Sequence, residues 1–159
     1  DIDLLVGTFG KACGSVGAFL VSSGDICDYL INRSRSLIFT TALPPVVLNW
    51  NYFVMNRLAG MDAEREHLQQ ISSGLRESFE KMGLQTGGNS NIIPVIIGAA
   101  DRAVEGAKFL QTKGFYVLTV RPPTVPQNTS RFRLSLTADH HMEQLVLLPE
   151  LIRHWLDEL

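Results

Sequence analysis

The sequence contains only two cysteines, Cys13 and Cys27, among its 159 residues. So few exclude a disulfide scaffold. Without a C-x-x-C pair they also exclude a zinc site built on cysteine, and reduced thiols are expected. No excess of positive charge exists: 14 Lys and Arg face 16 Asp and Glu, a net charge of −2. With no basic run interleaved with aromatics, the electrostatic footprint of a nucleic-acid binder is missing. No apolar run approaches the roughly 20 residues that cross a bilayer. No H-E-x-x-H or similar metal spacing occurs, and no repeat or low-complexity stretch is visible. The chain opens on "DIDLLVGTFGK", inside a strand-like run, without a methionine or a basic leader. A piece or processed product of a longer protein is the expectation.

What is present fits a globular domain: 45% hydrophobic and 19% charged residues. "DLLVGTF" and "GAFLVSS" read as strands on either side of a glycine-rich turn. "DICDYLINRSR" reads as a short helix capped by Asp25, and "SLIFTTALPP" as an extended connector. From Val46 to Met82 the pattern is helical, with Leu68, Ile71, Leu75, Phe79 and Met82 in one apolar stripe and a break at Gly60 and Asp62. "IIPVIIG" is a buried strand in which Pro94 marks an edge or bulge. "RAVEGAKFLQTKG" is a helix with Asp101 at its start and Gly114 at its end. "FYVLTV" is a strand. "RFRLSL" alternates, putting Phe132, Leu134 and Leu136 on one face and Arg131, Arg133 and Ser135 on the other. Asp139 would cap a last helix carrying Met142, Leu145, Leu148, Ile152 and Trp155, kinked or broken at Pro149. The order strand, helix, strand, strand, helix from Ile92 onward makes a compact α+β module. The first part reads as a piece of a larger α/β sheet.

The stretch that carries chemistry is "GTFGKACGSVGAF", residues 7–19. It is not a P-loop, because two residues rather than four separate Gly7 from Gly10 and Ala12 follows Lys11. It is not a dinucleotide fingerprint either, because no strand, glycine turn and helix follow in order. A lysine amine attacks carbonyl carbon only when neutral, and neighbouring glycines let a planar cofactor approach the backbone. Thr8 lies three residues before Lys11 and offers a hydroxyl to a phosphate. A solvated surface loop remains the alternative. Arg133 sits on the polar face of a strand, a rigid mount for gripping a carboxylate. Arg121 precedes a Pro-Pro turn, and Thr40 and Thr41 could contact an anion. Both arginines and the threonine pair could equally be surface or turn residues. His67, His140, His141 and His154 read as surface or capping residues.

Taken in chain order, "GTFGKACGSVGAF", "RSLIFTTALPP", "IPVIIG" and "VRPPTVPQNTSRFRLSLTADH" resemble the α-oxoamine synthases, enzymes of fold type I that use pyridoxal 5′-phosphate (PLP). The resemblance implies the C-terminal part of that fold: residues 1–45 ending the large PLP-binding domain, 46–82 a linking helical arm, and 83–159 a small α+β domain. It implies PLP bound covalently on Lys11, which later moves the substrate's α-proton. Thr8 would bind the cofactor phosphate, and Thr40 and Thr41 would reach across a homodimer towards the partner's phosphate. Arg133, the second arginine of R-x-R, would hold the amino-acid carboxylate, and Arg121 would lie near the acyl thioester. The R-P-P-T-V-P…R-x-R-L-S-L-T segment is most similar to members that condense L-alanine with pimeloyl-CoA or pimeloyl-carrier protein in the cytoplasmic biotin pathway. A 2-amino-3-ketobutyrate CoA ligase-like synthase and a non-catalytic dimerisation module are the alternatives. The family's chain is more than twice as long. Its ring-stacking histidine and the aspartate on the pyridine nitrogen have no counterpart here, so this piece alone is expected to be inactive.

Overall fold

The computed structural model describes residues 2–158, and contacts divide the chain into two compact units, Asp1–Met61 and Asp62–Leu159. In the first unit, β1 (Leu4–Thr8) and β2 (Ala18–Ser22) form an antiparallel ribbon with Leu4 opposite Ser22 and Thr8 opposite Ala18. Helices α1 (Gly24–Arg33), α2 (Arg35–Ile38) and α3 (Pro45–Leu58) follow. Pro45 opens α3, where its missing N–H costs nothing. Two local expectations change here. Ser23, not Asp25, is the N-cap of α1: its carbonyl accepts the first bond, from Cys27 N–H, and Asp25 sits in the first turn where the helix dipole favours an acid. The connector is not wholly extended, because Ser34 carbonyl accepts from Leu37 and Ile38 and closes one helical turn over Arg35–Ile38.

The ribbon's side chains are unusual for an isolated pair of strands. Leu4, Leu5, Val6, Leu20 and Val21 are apolar on successive positions and all exposed. Strands that are apolar on both faces belong in the middle of a sheet covered on both sides. Phe9 is the buried apolar side chain of this unit among the described residues.

The second unit holds one core. Helix α4 (Asp62–Lys81) buries Ile71, Leu75 and Phe79 along its stripe, and Leu68 packs at the margin. Met82 falls just past the helix and is exposed. The sheet has the order β3-β5-β4, with β3 (Ile92–Gly98), β4 (Leu118–Val120) and β5 (Ser130–Ser135) all antiparallel. The alternation in β5 is as expected: Phe132, Leu134 and the following Leu136 are buried, and Arg133 and Ser135 are exposed. Pro94 lies on the edge strand β3, whose register shifts between Ile96 and Gly98. The edge is partly covered, since Thr86 Oγ1 donates to Pro94 carbonyl at 2.7 Å and Ile96 N–H to Gln85 carbonyl at 2.9 Å.

Helix α5 (Ala100–Thr112) begins after Ala99 rather than at Asp101, which lies in the first turn. Gly114 follows its end with φ 89°, in the left-handed region that glycine tolerates best. There Gly114 N–H donates to Gln111 carbonyl and Phe115 N–H to Leu110 carbonyl. Those two bonds tie residues 114 and 115 to the helix. As a result β4 pairs only from Leu118, three residues later than the sequence pattern predicts. The last helix is two pieces, α6 (Met142–Leu145) and α7 (Leu148–Asp157), and Pro149 stands in the first turn of α7 instead of kinking one long helix. His141, not Asp139, caps α6: its N–H donates to Gln144 Oε1 at 2.8 Å. Leu148, Ile152 and Trp155 from α7 complete the core. On the exposed side of α7, the hydrogen bond from Arg153 holds the Asp157 carboxyl below its ordinary range and pushes the Arg153 guanidinium up.

Candidate functional site

The nine residues between β1 and β2 form a closed loop rather than a floppy one. Phe9 N–H donates to Gly17 carbonyl at 3.0 Å, Ser15 N–H to Phe9 carbonyl at 2.9 Å, and Gly14 N–H to Lys11 carbonyl at 2.9 Å. Gly14 and Gly17 have φ of 56° and 98°, so the turn needs glycine at both places. The Phe9 ring is buried under the loop, its centroid 5.4 Å from that of Phe19. Helix α3 holds the loop from outside the ribbon: Asn51 Nδ2 donates to Val16 carbonyl at 3.2 Å, and Trp50 Nε1 to Cys13 carbonyl at 3.4 Å. Asn51 is buried and its Oδ1 has no partner.

Lys11 stands at the tip of this loop, exposed, and among the described residues its amine has no ion-pair or hydrogen-bond partner. Thr8 is exposed at the last position of β1, at the foot of the same loop. The fold therefore presents an amine and a hydroxyl on one backbone-locked segment. Thr40 and Thr41 are exposed in the non-helical stretch between α2 and α3.

The two arginines belong to the other unit. Arg133 sits at the centre of the sheet, between Pro94 of β3 and Leu118 of β4, with its side chain on the face away from the core. Arg121 is exposed just past β4, and its carbonyl accepts from Thr124 N–H in the turn holding the cis Pro122–Pro123 bond. Among the described residues no group of His, Cys, Asp or Glu is arranged to hold a metal ion. The histidines work structurally: His140 Nδ1 accepts from Thr137 N–H at 3.0 Å, and His67 Nε2 meets His140 carbonyl at 2.9 Å. Sequence reasoning singled out Lys11, Thr8 and Arg133 but missed Asn51 and Trp50. Asn51 is one of three asparagines in α3, with Asn49 and Asn56, and no local pattern sets it apart from them.

The aminotransferase class I and II family matches residues 1–150. The chain belongs to that family. Within the family, an 8-amino-7-oxononanoate synthase from Chlorobaculum parvum is 49% identical over 145 residues, which are 91% of this chain and 37% of that protein. A solved 8-amino-7-oxononanoate synthase from Francisella tularensis matches with a TM-score of 0.86 at 27% identity, covering 98% of this chain and 46% of that one. A serine palmitoyltransferase solved with PLP matches with a TM-score of 0.87 at 30% identity, over 96% of this chain and 39% of that one. The chain thus spans less than half the length of these relatives. Its fold is part of the PLP-dependent transferase fold type I. No described helix is long and apolar enough to cross a membrane.

The lysine loop of this aminotransferase class I and II chain suits one end of PLP. An aldehyde needs a primary amine with nothing else bound to it, and Lys11 supplies one. A phosphate needs hydroxyl and N–H donors, and Thr8 offers a hydroxyl that has no hydrogen-bond partner among the described residues. A Cβ added at Gly14 would meet nothing, and one added at Gly10 only Ser15 carbonyl at 3.8 Å, so the tip is open to a planar ring.

Proposed function

We propose that the chain is the C-terminal part of a PLP-dependent acyltransferase that condenses L-alanine with a pimeloyl thioester to give 8-amino-7-oxononanoate. Carbon dioxide and the free thiol of coenzyme A or a carrier protein leave. The observation that carries the reading is Lys11, without a partner among the described residues, on a backbone-locked glycine loop in a chain about half identical to proteins of that name. PLP, when bound, supplies an electron sink at the amino acid's α-carbon.

The chain's own residues then have distinct tasks. Lys11 Nζ would anchor the cofactor, take the α-proton before the acyl group is attached, and return a proton to the same carbon once carbon dioxide has left it. Thr8 Oγ1 donates to the phosphate, and Thr40 and Thr41 do so across a homodimer. Arg133 holds the alanine carboxylate from the rigid centre of the sheet, and Arg121 lies towards the thioester. In this reading residues 1–45 end the larger cofactor-binding domain, which accounts for the doubly apolar, exposed ribbon. Residues 46–82 form a helical arm and 83–159 a small domain.

The test is a chimera in which this chain replaces the matching part of the Chlorobaculum parvum relative. It should release thiol from pimeloyl-CoA in an alanine-dependent way, and Lys11→Ala should abolish this. A folded, PLP-loaded chimera that ignores alanine would overturn the substrate assignment. The serine palmitoyltransferase likeness makes serine and glycine the competitors to include in the same assay.

A further inference from the structure

The segment leading into α3 grips the lysine loop at a third point, besides the Cys13 and Val16 carbonyls. Gly17 is the last loop residue before β2, its carbonyl accepts from Phe9 N–H, and its φ is 98°. A Cβ built on it would lie 2.5 Å from Leu43 Cδ1, 3.7 Å from Cγ and 3.9 Å from Cδ2. The leucine methyl therefore fills the space that a side chain at residue 17 would take. At Gly14, also left-handed, a Cβ would meet nothing, so the tip of the loop is open and its foot is capped. Leu43 is half-buried and firmly mounted. It precedes Pro44, whose ring disfavours the helical region for the residue before it. Pro44 is itself extended, with ψ 143°, and its carbonyl accepts from Val47 and Leu48 N–H at the start of α3.

We propose that Leu43 is a positioning residue for Lys11: seated on Gly17, it keeps the loop closed and so holds the amine where the cofactor meets it. The proposal rests on the reading of Lys11 given above. Asn51 and Trp50 brace the loop by hydrogen bonds, and water can take the place of either donor. Water does not replace the contact of a methyl packed on a Cα. With the foot released, the chain from Phe9 to Gly17 gains conformations in which Lys11 is displaced. A cofactor that binds the closed loop alone then meets a smaller competent fraction, and its affinity falls by that fraction.

The Chlorobaculum parvum chimera tests this by amide exchange without PLP and by PLP titration. Leu43→Ala should speed exchange at Phe9 and Ser15, the donors that close the loop, about tenfold, with Cys27 in α1 unchanged. PLP affinity should fall about tenfold with it. Leu43→Met, which nearly conserves volume, should keep both within about twofold of the parent. Gly17→Ala, whose Cβ would push the methyl aside, should also weaken PLP binding, and adding Leu43→Ala to it should weaken binding little further. If Leu43→Ala speeds Cys27 as well, the smaller truncation Leu43→Val carries the test, with a lesser rise confined to Phe9 and Ser15. Unchanged exchange at Phe9 and Ser15 in both truncations overturns the proposal. So does PLP affinity that is lost in Lys11→Ala but kept in Leu43→Ala, or losses that add fully in the double variant. PLP affinity kept in both Leu43→Ala and Lys11→Ala overturns instead the reading of Lys11 on which the proposal depends.

Discussion

Lys11 is displayed by its neighbours rather than by its own contacts. Three backbone bonds and two left-handed glycines shape its loop, and Asn51 and Trp50 brace it through carbonyls. Asn51→Ala removes the donor to the Val16 carbonyl and should cost about 1 kcal/mol. The expected readout is faster amide exchange at Gly14 and Ser15 than in the parent chain, with exchange in β5 unchanged. Arg133→Ala in the chimera should raise KM for alanine at least tenfold while KM for pimeloyl-CoA moves little. Arg121→Ala should do the reverse. As candidates, Lys11, Thr8 and Arg133 stand out in the sequence because each sits in a pattern with chemical meaning: glycines around an amine, a hydroxyl at a fixed step, alternation on a strand. Asn51 does not, because its partner is a carbonyl 35 residues away and no local pattern records such a bond.

Helices and strands followed their hydrophobic periods, and their ends did not follow the most obvious cap. Asp25, Asp101 and Asp139 were each expected to cap, yet Asp25 and Asp101 lie in first turns and Asp139 precedes the cap His141. An acid near a helix start is favourable in both places, so composition does not separate them. The strand expected over Phe115–Val120 lost its first half to the helix end at Gly114, a contest between two local bonding schemes. The helix–sheet contact gives a sharper test. A Cβ at Gly106 of α5 would meet the Trp155 ring at 2.7 Å and the Phe132 ring at 2.8 Å. Gly106→Ala should therefore lower stability by about 1–3 kcal/mol through overpacking, despite alanine's better helix propensity. Ile152→Ala, which empties a fully buried site of α7, should cost about 2–5 kcal/mol. Denaturant midpoints of the two variants measure both.

At the scale of the whole chain the two units differ in kind. Asp62–Leu159 has a closed core spanning a sheet and its helices, whereas the ribbon of Asp1–Met61 leaves leucines and valines exposed on both faces. Local amide exchange should be slowest in β3 and β5 and fast throughout β1 and β2. Sequence pattern reached the α+β module directly, because its apolar stripes meet each other. For the ribbon the apolar runs suggested only a piece of a larger sheet, because strands apolar on both faces show no alternation to read, and its assignment to a cofactor-binding domain rests on motif resemblance. The central claim is that Lys11 is the residue on which PLP is carried. Borohydride reduction of the PLP-loaded chimera, followed by peptide mass mapping, tests it most directly. The account predicts a single pyridoxyl label on the peptide containing Lys11, absent from Lys11→Ala. A label on any other lysine, or PLP retained with no reducible bond to the protein, would contradict it.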